Sequence, residues 1–213
     1  MSFLTRDRVN LMAAGAVAAA LSAGAFIALT ADANAAPPGK EAPAFKELDT
    51  SGKPVQLSDF AGKTVVLEWT NNGCPFVKKH YESGNMQKTQ ADAVKDPNTV
   101  WISVISSKPG AQGYVSGVEA DKLTTSRGAH PTAVLLDPDG SMGRAYGAKT
   151  TPHIFVIKDG KVAYNGAIDS IQSTNQADIA KAKNYATAAL ANLKAGKEPD
   201  PAMTVPYGCD VKY

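Results

Sequence analysis

The spacing of apolar residues in the first half of the chain predicts an alternation of strands and helices. FKELDTSGKPVQLSDF (45–60) alternates around a Ser-Gly turn and predicts a β-hairpin. TVVLEW (64–69) is apolar and β-branched almost throughout, which is typical of a central strand buried on both faces. CPFVKKHYESGNMQKTQADAVK (74–95) predicts a helix that breaks near Gly84, and NTVWISVIS (98–106) predicts a second buried strand.

The second half continues this alternation after a polar insertion at residues 110–129, which predicts a short helix and no catalytic residue. A strand is predicted within 130–140, followed by a short helix that leads to a hairpin over 153–168. Asp-Gly supplies the tight turn of that hairpin. The Ala-rich segment 175–196 has helical spacing throughout and predicts one helix ended by Gly196, covering one face of the sheet.

This order of elements predicts a three-layer α/β domain. Its central mixed sheet has helices on both faces and carries an N-terminal β-hairpin as an extension. The domain is predicted to span residues 36–196, and residues 197–213, which hold three prolines and Cys209, form an extended C-terminal tail.

The first 35 residues are predicted to be a signal peptide. Two arginines precede a nearly uncharged run that ends in the small residues Ala33-Asn34-Ala35. We therefore expect an exported protein located in the periplasm, or outside the cell, after cleavage. The apolar run leaves a retained membrane anchor as the alternative.

Charge and histidine placement narrow the classes of partner. The 22 basic and 20 acidic residues are interspersed, without the basic stripe that nucleic-acid binding requires. His80, His130 and His153 lack the spacing of a zinc site, so no metal is expected. A copper chaperone that pairs Cys74 with a histidine is a minor alternative, because no second cysteine lies near the first.

Cys74 is the strongest candidate for chemistry. A strand that runs through a short loop into a helix beginning Cys74-Pro75 places the sulfur at a helix N-terminus, where free N–H groups favour a thiolate. Such a site lowers the pKa of a thiol and makes it nucleophilic. Lys78, one turn further on, is predicted to add positive charge. The alternative is a buried cysteine that serves as a small hydrophobe.

With these motifs the sequence resembles the thioredoxin-like superfamily, and within it the redoxin group related to the alkyl hydroperoxide reductase and thiol-specific antioxidant (peroxiredoxin) proteins. The resemblance covers residues 40–195 and rests on LSDFAGKTVVLEW, CPFV and TTPHIFVIKDGKVAYNGAID in this order. It implies a thioredoxin-like fold in which Thr151-Pro152 has a cis peptide bond beside the reactive cysteine. It also makes Glu68 a candidate for moving protons, the alternative being a strand-end carboxylate that reaches water or a lysine.

Two departures from the family patterns matter. Val77 stands where a C-x-x-C motif would have its second cysteine, and Asn71 stands where the peroxiredoxin motif has threonine. Cys209 could instead resolve a sulfenic acid or mixed disulfide formed on Cys74, or the two cysteines could form a static disulfide that staples the tail.

We therefore expect an exported thiol-dependent oxidoreductase that reduces disulfides or peroxides through Cys74, without a cofactor. Its expected partners are a protein disulfide or small peroxide and an external thiol reductant. The alternative is a non-catalytic module that binds an extended peptide beside Thr151-Pro152.

Overall fold

A computed structural model describes residues 36–213, so the predicted signal peptide at 1–35 lies outside the described residues. Nine strands form in this part of the chain: β1 (Lys46–Asp49), β2 (Pro54–Gln56), β3 (Thr64–Trp69), β4 (Thr99–Ile105), β5 (Ala133–Leu136), β6 (Thr150–Thr151), β7 (His153–Lys158), β8 (Lys161–Gly166) and β9 (Cys209–Asp210). The α-helices are α1 (Pro75–Glu82), α2 (Asn85–Val94), α3 (Gly117–Ser126), α4 (Ser141–Tyr146) and α5 (Tyr185–Lys194). None of the helices within 36–213 has the length and apolar character needed to cross a bilayer.

Seven strands form one mixed sheet in the order β2-β1-β5-β4-β3-β7-β8. Strand β3 pairs in parallel with β4, and β4 pairs in parallel with β5. The remaining neighbours are antiparallel, including the two hairpins β1-β2 and β7-β8. The predicted N-terminal hairpin and central strand are therefore confirmed.

The two faces of the sheet bury two separate apolar clusters, because successive side chains of a strand point to opposite faces. Along β3, Leu67 and Trp69 belong to the cluster that α4 covers, together with Tyr146 and Phe155. Val66 belongs to the cluster on the opposite face, which α1, α2 and α5 cover. The predicted three-layer architecture is confirmed.

Helix breaks occur where the local residues predict them, with one exception. Gly84 adopts a left-handed conformation between α1 and α2, as expected for the break in the first helical segment. The single helix predicted for 175–196 is wrong, because a 3-10 helix, Gln176–Lys181, is separated from α5. Asn184 starts α5 by accepting a hydrogen bond from Thr187 N–H, and the chain just before it bonds back to Ser170.

The C-terminal tail is extended, as predicted, and it is docked on the domain from Ala202 onwards. Asn165 N–H donates to the carbonyl of Ala202, and Val211 N–H donates to that of Lys149. Between these points, β9 pairs antiparallel with β6. Residues 202–213, called here the docked tail, are therefore part of the folded domain.

Candidate active site

Cys74 lies at the end of the loop that connects β3 to α1. Its backbone is extended and it occupies the N-cap position, with Pro75 as the first helical residue. Proline fits there because its missing N–H would have no partner inside the helix. The whole Cys74 residue is buried, with 0% of its surface exposed.

Asn71 shapes the loop before the cysteine. Its side-chain oxygen accepts from Gly73 N–H at 2.8 Å, and its amide nitrogen donates to the carbonyl of Gln112 at 3.1 Å. Its own carbonyl accepts from Cys74 N–H at 3.1 Å. The polar insertion therefore has a positioning contact with the cysteine loop, although it brings no nucleophile.

The Thr151-Pro152 peptide bond is cis, as the resemblance implied. The Sγ atom of Cys74, when it carries its proton, donates to the carbonyl oxygen of Thr151 at 3.1 Å. On the other side of β6, Thr151 pairs with Cys209 in β9. Thr151 therefore contacts one cysteine at the start of α1 and the other in β9.

The two sulfurs are neighbouring free thiols with opposite tendencies to ionise. Burial alone would raise the pKa of Cys74, but the hydrogen bond from the Cys209 thiol and those from the backbone of Val77 and Cys209 outweigh burial and hold this pKa below its ordinary value. Burial, followed by the Cys74 sulfur, raises the pKa of Cys209 to about 12. The pair therefore favours a state in which Cys74 is a thiolate and accepts a hydrogen bond from the protonated thiol of Cys209.

Lys78 does not contribute to the lowered pKa of Cys74 in the way predicted for it. Its side chain is exposed, and the groups that set the pKa of Cys74 include no cation. The buried lysine of this helix is the next residue, Lys79. The low pKa of the thiol comes instead from hydrogen bonds at the helix N-terminus and from Cys209.

Glu68 is fully buried beneath α1, the helix whose N-cap is Cys74 and which is called here the cysteine helix. Tyr81 donates to its Oε1 at 2.8 Å, while Gln90, Trp101 and Ser103 donate to Oε2 at 2.9, 2.8 and 3.2 Å. Burial raises the pKa of this carboxyl, and the four hydrogen bonds oppose the shift. The alternative in which Glu68 reaches water or a lysine is wrong, because the side chain is fully buried and, within residues 36–213, its oxygens bond only these four neutral side chains. Its part in proton transfer stays a prediction.

A second buried polar cluster joins α1 to the docked tail. Lys79 Nζ lies 3.3 Å from Asp169 Oδ2 and donates to the carbonyl of Ile171 at 3.0 Å. Tyr207 of the docked tail donates to Asp169 Oδ1, and its oxygen lies 3.3 Å from His80 Nε2. Burial, followed by the positive charge of Lys79, lowers the pKa of His80 to about 4, although Asp169 opposes that shift.

No group of three or more metal-binding side chains forms within residues 36–213. His153 is occupied by hydrogen bonds, since its Nδ1 accepts from Lys149 N–H and its Nε2 bonds Asn165 Oδ1. His130 is exposed. The copper alternative thus has no ligand set in this part of the chain.

Comparison with known proteins assigns the chain to a protein family. The family model described as Redoxin matches residues 37–184. The chain belongs to the redoxin family. This redoxin is similar to the thiol-disulfide oxidoreductase ResA of Bacillus thuringiensis, with 28% identity over 149 residues that span 65% of this chain and 84% of that protein.

Two solved structures share the fold of this redoxin. A hypothetical protein from Sinorhizobium meliloti superposes with a TM-score of 0.68 at 22% identity, covering 83% of this chain and 94% of the other. An uncharacterized conserved protein from Geobacillus kaustophilus gives 0.68 at 25% identity, covering 83% and 92%. The expected thioredoxin-like fold and thiol-dependent oxidoreductase activity are confirmed.

Two features of this redoxin were not predicted from its sequence. One is the structural role of Asn71, which Gly113 approaches so closely that a Cβ at that glycine would come within 2.4 Å of the Asn71 side chain. The other is the cluster around Asp169. A lysine within a helix gives no sign of burial in the sequence pattern, and its partners are about 90 and 128 residues away.

Proposed function

We propose that this redoxin is an exported thiol-disulfide oxidoreductase in which Cys74 attacks the disulfide and Cys209 resolves the product. The observation that carries the proposal is the strand pairing of Cys209 with Thr151, whose carbonyl contacts the Cys74 sulfur. This pairing supplies the second thiol that the missing C-x-x-C motif would otherwise provide. The similarity to ResA, a thiol-disulfide oxidoreductase, supports the same chemistry.

The first step is attack of the Cys74 thiolate on one sulfur of a substrate disulfide. A new S–S bond joins Cys74 to the substrate, the substrate's own S–S bond breaks, and the leaving sulfur takes up a proton. The lowered pKa of Cys74 increases the fraction of its thiolate form, which is the nucleophile.

In the second step, Cys209 loses its proton and attacks Cys74 Sγ, so a Cys74–Cys209 disulfide forms and the substrate leaves as a dithiol. Two electrons have then passed from the cysteine pair to the substrate, and an external dithiol reduces the pair again. Part of what raises the pKa of Cys209 is the Cys74 sulfur beside it. That part is lost once Cys74 enters the mixed disulfide, so the pKa of Cys209 should then fall, while burial continues to raise it.

Export is supported by the arginine-led apolar leader with its small-residue end at Ala33-Asn34-Ala35. An oxidising compartment would present disulfides to the cysteine pair. Intact-mass measurement of protein from the periplasmic fraction tests this point. A mass that starts at Ala36 is expected, and a full-length protein confined to the membrane would contradict cleavage.

The test of the chemistry compares full-length Cys74→Ser and Cys209→Ser variants with the parent. We expect Cys74→Ser to abolish reduction of a model protein disulfide, and Cys209→Ser to accumulate a mixed disulfide visible as added mass. Unchanged activity in the Cys74 variant would remove the assignment. Hydrogen peroxide as substrate forms the second arm, in which faster turnover than with disulfides would shift the proposal to peroxide reduction.

A further inference from the structure

The docked tail closes the site over its own nucleophile. Cys74 has no exposed surface, and the segment that faces it, Gly208-Cys209, belongs to the tail. A disulfide in another protein therefore cannot contact Cys74 Sγ while the tail is docked. The proposed function needs a second arrangement in which the tail has left β6.

We propose that the docked tail occupies the site where the substrate binds. The substrate is then an extended protein segment that carries Gly-Cys and pairs with β6 in place of β9. This inference rests on the proposed function and specifies its substrate and its regulation. The tail is then an internal competitor for the groove beside Thr151. Opening of the tail limits access to Cys74.

The strand pairing defines how such a segment binds. Thr150 pairs with Asp210 and Thr151 pairs with Cys209 in antiparallel register. Adding an extended strand to a free sheet edge is a general mode of peptide recognition, in which backbone hydrogen bonds give affinity and side-chain positions give selectivity. A substrate cysteine in the position of Cys209 would have its sulfur beside Cys74.

The residue before the cysteine is restricted to glycine. Gly208 has a φ of +144°, and a Cβ at this position would lie 2.0 Å from the carbonyl oxygen of Thr151. Neither the backbone conformation nor the space suits another residue. Selectivity for Gly-Cys is therefore set by the backbone of β6.

Tyr207 is the latch that holds the tail closed. Its hydroxyl completes a buried cluster whose other members, Lys79, His80 and Asp169, all belong to the rest of the domain. Its ring contacts Phe76 in the cysteine helix, with the ring centroids 5.8 Å apart. Since the cluster is divided between tail and domain, loss of the hydroxyl should favour release of the tail.

The experiment measures the reactivity of Cys74 in full-length protein that carries Cys209→Ser, so that one thiol remains. The probes are Tyr-Gly-Cys and Tyr-Val-Cys peptides whose cysteine is activated as a thiopyridyl disulfide. The Cys74 thiolate forms an S–S bond to the peptide sulfur, the peptide–thiopyridine S–S bond breaks, and the released thiopyridine takes a proton and is followed by absorbance. Adding Tyr207→Phe tests the latch, and Tyr114→Phe, at a tyrosine that is 44% exposed on the insertion, is the matched control.

We expect Tyr207→Phe to accelerate the Tyr-Gly-Cys reaction about tenfold, equivalent to about 1.4 kcal/mol of lost closing free energy, and Tyr114→Phe to leave the rate unchanged. We expect the Gly peptide to react about tenfold faster than the Val peptide in every variant. Tyr213→Phe removes another tail contact, its hydroxyl bond to the Ala148 carbonyl at 2.7 Å, and should also accelerate the reaction. This variant serves if Tyr207→Phe does not fold.

Equal rates for the tyrosine variants and the control would overturn the latch, and equal rates for the two peptides would overturn the Gly-Cys groove. In both cases a reactive Cys74 would leave the proposed function intact. Absence of reaction with either peptide in all variants would instead overturn the proposed function.

Discussion

Replacement of Glu68 tests whether one buried carboxylate organises the core beneath the cysteine helix. Its two oxygens accept hydrogen bonds from four side chains on α1, α2 and β4. Glu68→Ala removes all four acceptor contacts. Glu68→Gln keeps the shape of the side chain and one of its two oxygens.

The expected cost follows from counting the donors that would be left without partners. In Glu68→Ala, Gln90 Nε2 retains Tyr81 Oη at 3.2 Å. The Tyr81 hydroxyl, Trp101 Nε1 and the Ser103 hydroxyl lose the acceptor to which they donate. At about 1–3 kcal/mol for each unsatisfied buried group, three such groups and the cavity should lower the free energy of unfolding by about 5 kcal/mol. Glu68→Gln should cost about 1 kcal/mol, because its amide oxygen can take the place of Oε2 while its NH₂ faces Tyr81.

Urea denaturation of the parent and both variants, followed by tryptophan fluorescence, measures these costs. Equal losses in the two variants, or a loss below about 1 kcal/mol in Glu68→Ala, would refute the role assigned to the four hydrogen bonds. The rate of thiol–disulfide exchange at Cys74, measured in Glu68→Gln, tests the predicted role of Glu68 in proton transfer. A stable variant with slow exchange would assign that role to Glu68.

Two further predictions concern ionisation. Burial lowers the pKa of His153 from 6.5 to about 4, so its stabilising contribution is complete above about pH 6.5 and is lost as the pH falls towards 4. The free energy of unfolding should fall by up to about 3 kcal/mol over this range, and urea titrations of a His153→Gln variant should show a shallower slope. Cys209→Ala removes a hydrogen-bond donor to Cys74 and should raise the pKa of Cys74, read from thiolate absorbance, whereas Cys209→Ser keeps an O–H donor and should raise it less. Equal pKa values in the two Cys209 variants would contradict the hydrogen bond.

Local patterns were sufficient for the elements that carry the reactive cysteine. The apolar run of β3 and the Cys74-Pro75 start of α1 are short-range signals, and both predicted the observed structure. Asp159 and Gly160 both have positive φ at the hairpin turn, as an Asp-Gly turn requires. In each case the determining interactions lie within a few residues.

Features that depend on distant contacts could not be predicted in this way. The break before α5 needs Ser170 N–H to bond the carbonyl of Lys183, which helical spacing does not reveal. The buried state of Lys79 depends on Asp169, 90 residues further along the chain. Cys209 was predicted from the sequence as a possible resolving thiol, but its pairing with Thr151 on β6 required the structure.

The pairing of β9 with β6 also fixes when the site is completed during synthesis. Cys209 is 135 residues beyond Cys74, so the sheet and the cysteine helix can assemble before the residues that cover them have left the ribosome. During that interval the Cys74 thiolate of a nascent chain would be uncovered and could exchange with disulfides nearby. Secretion in an unfolded state would postpone this vulnerable stage until the chain has crossed the membrane.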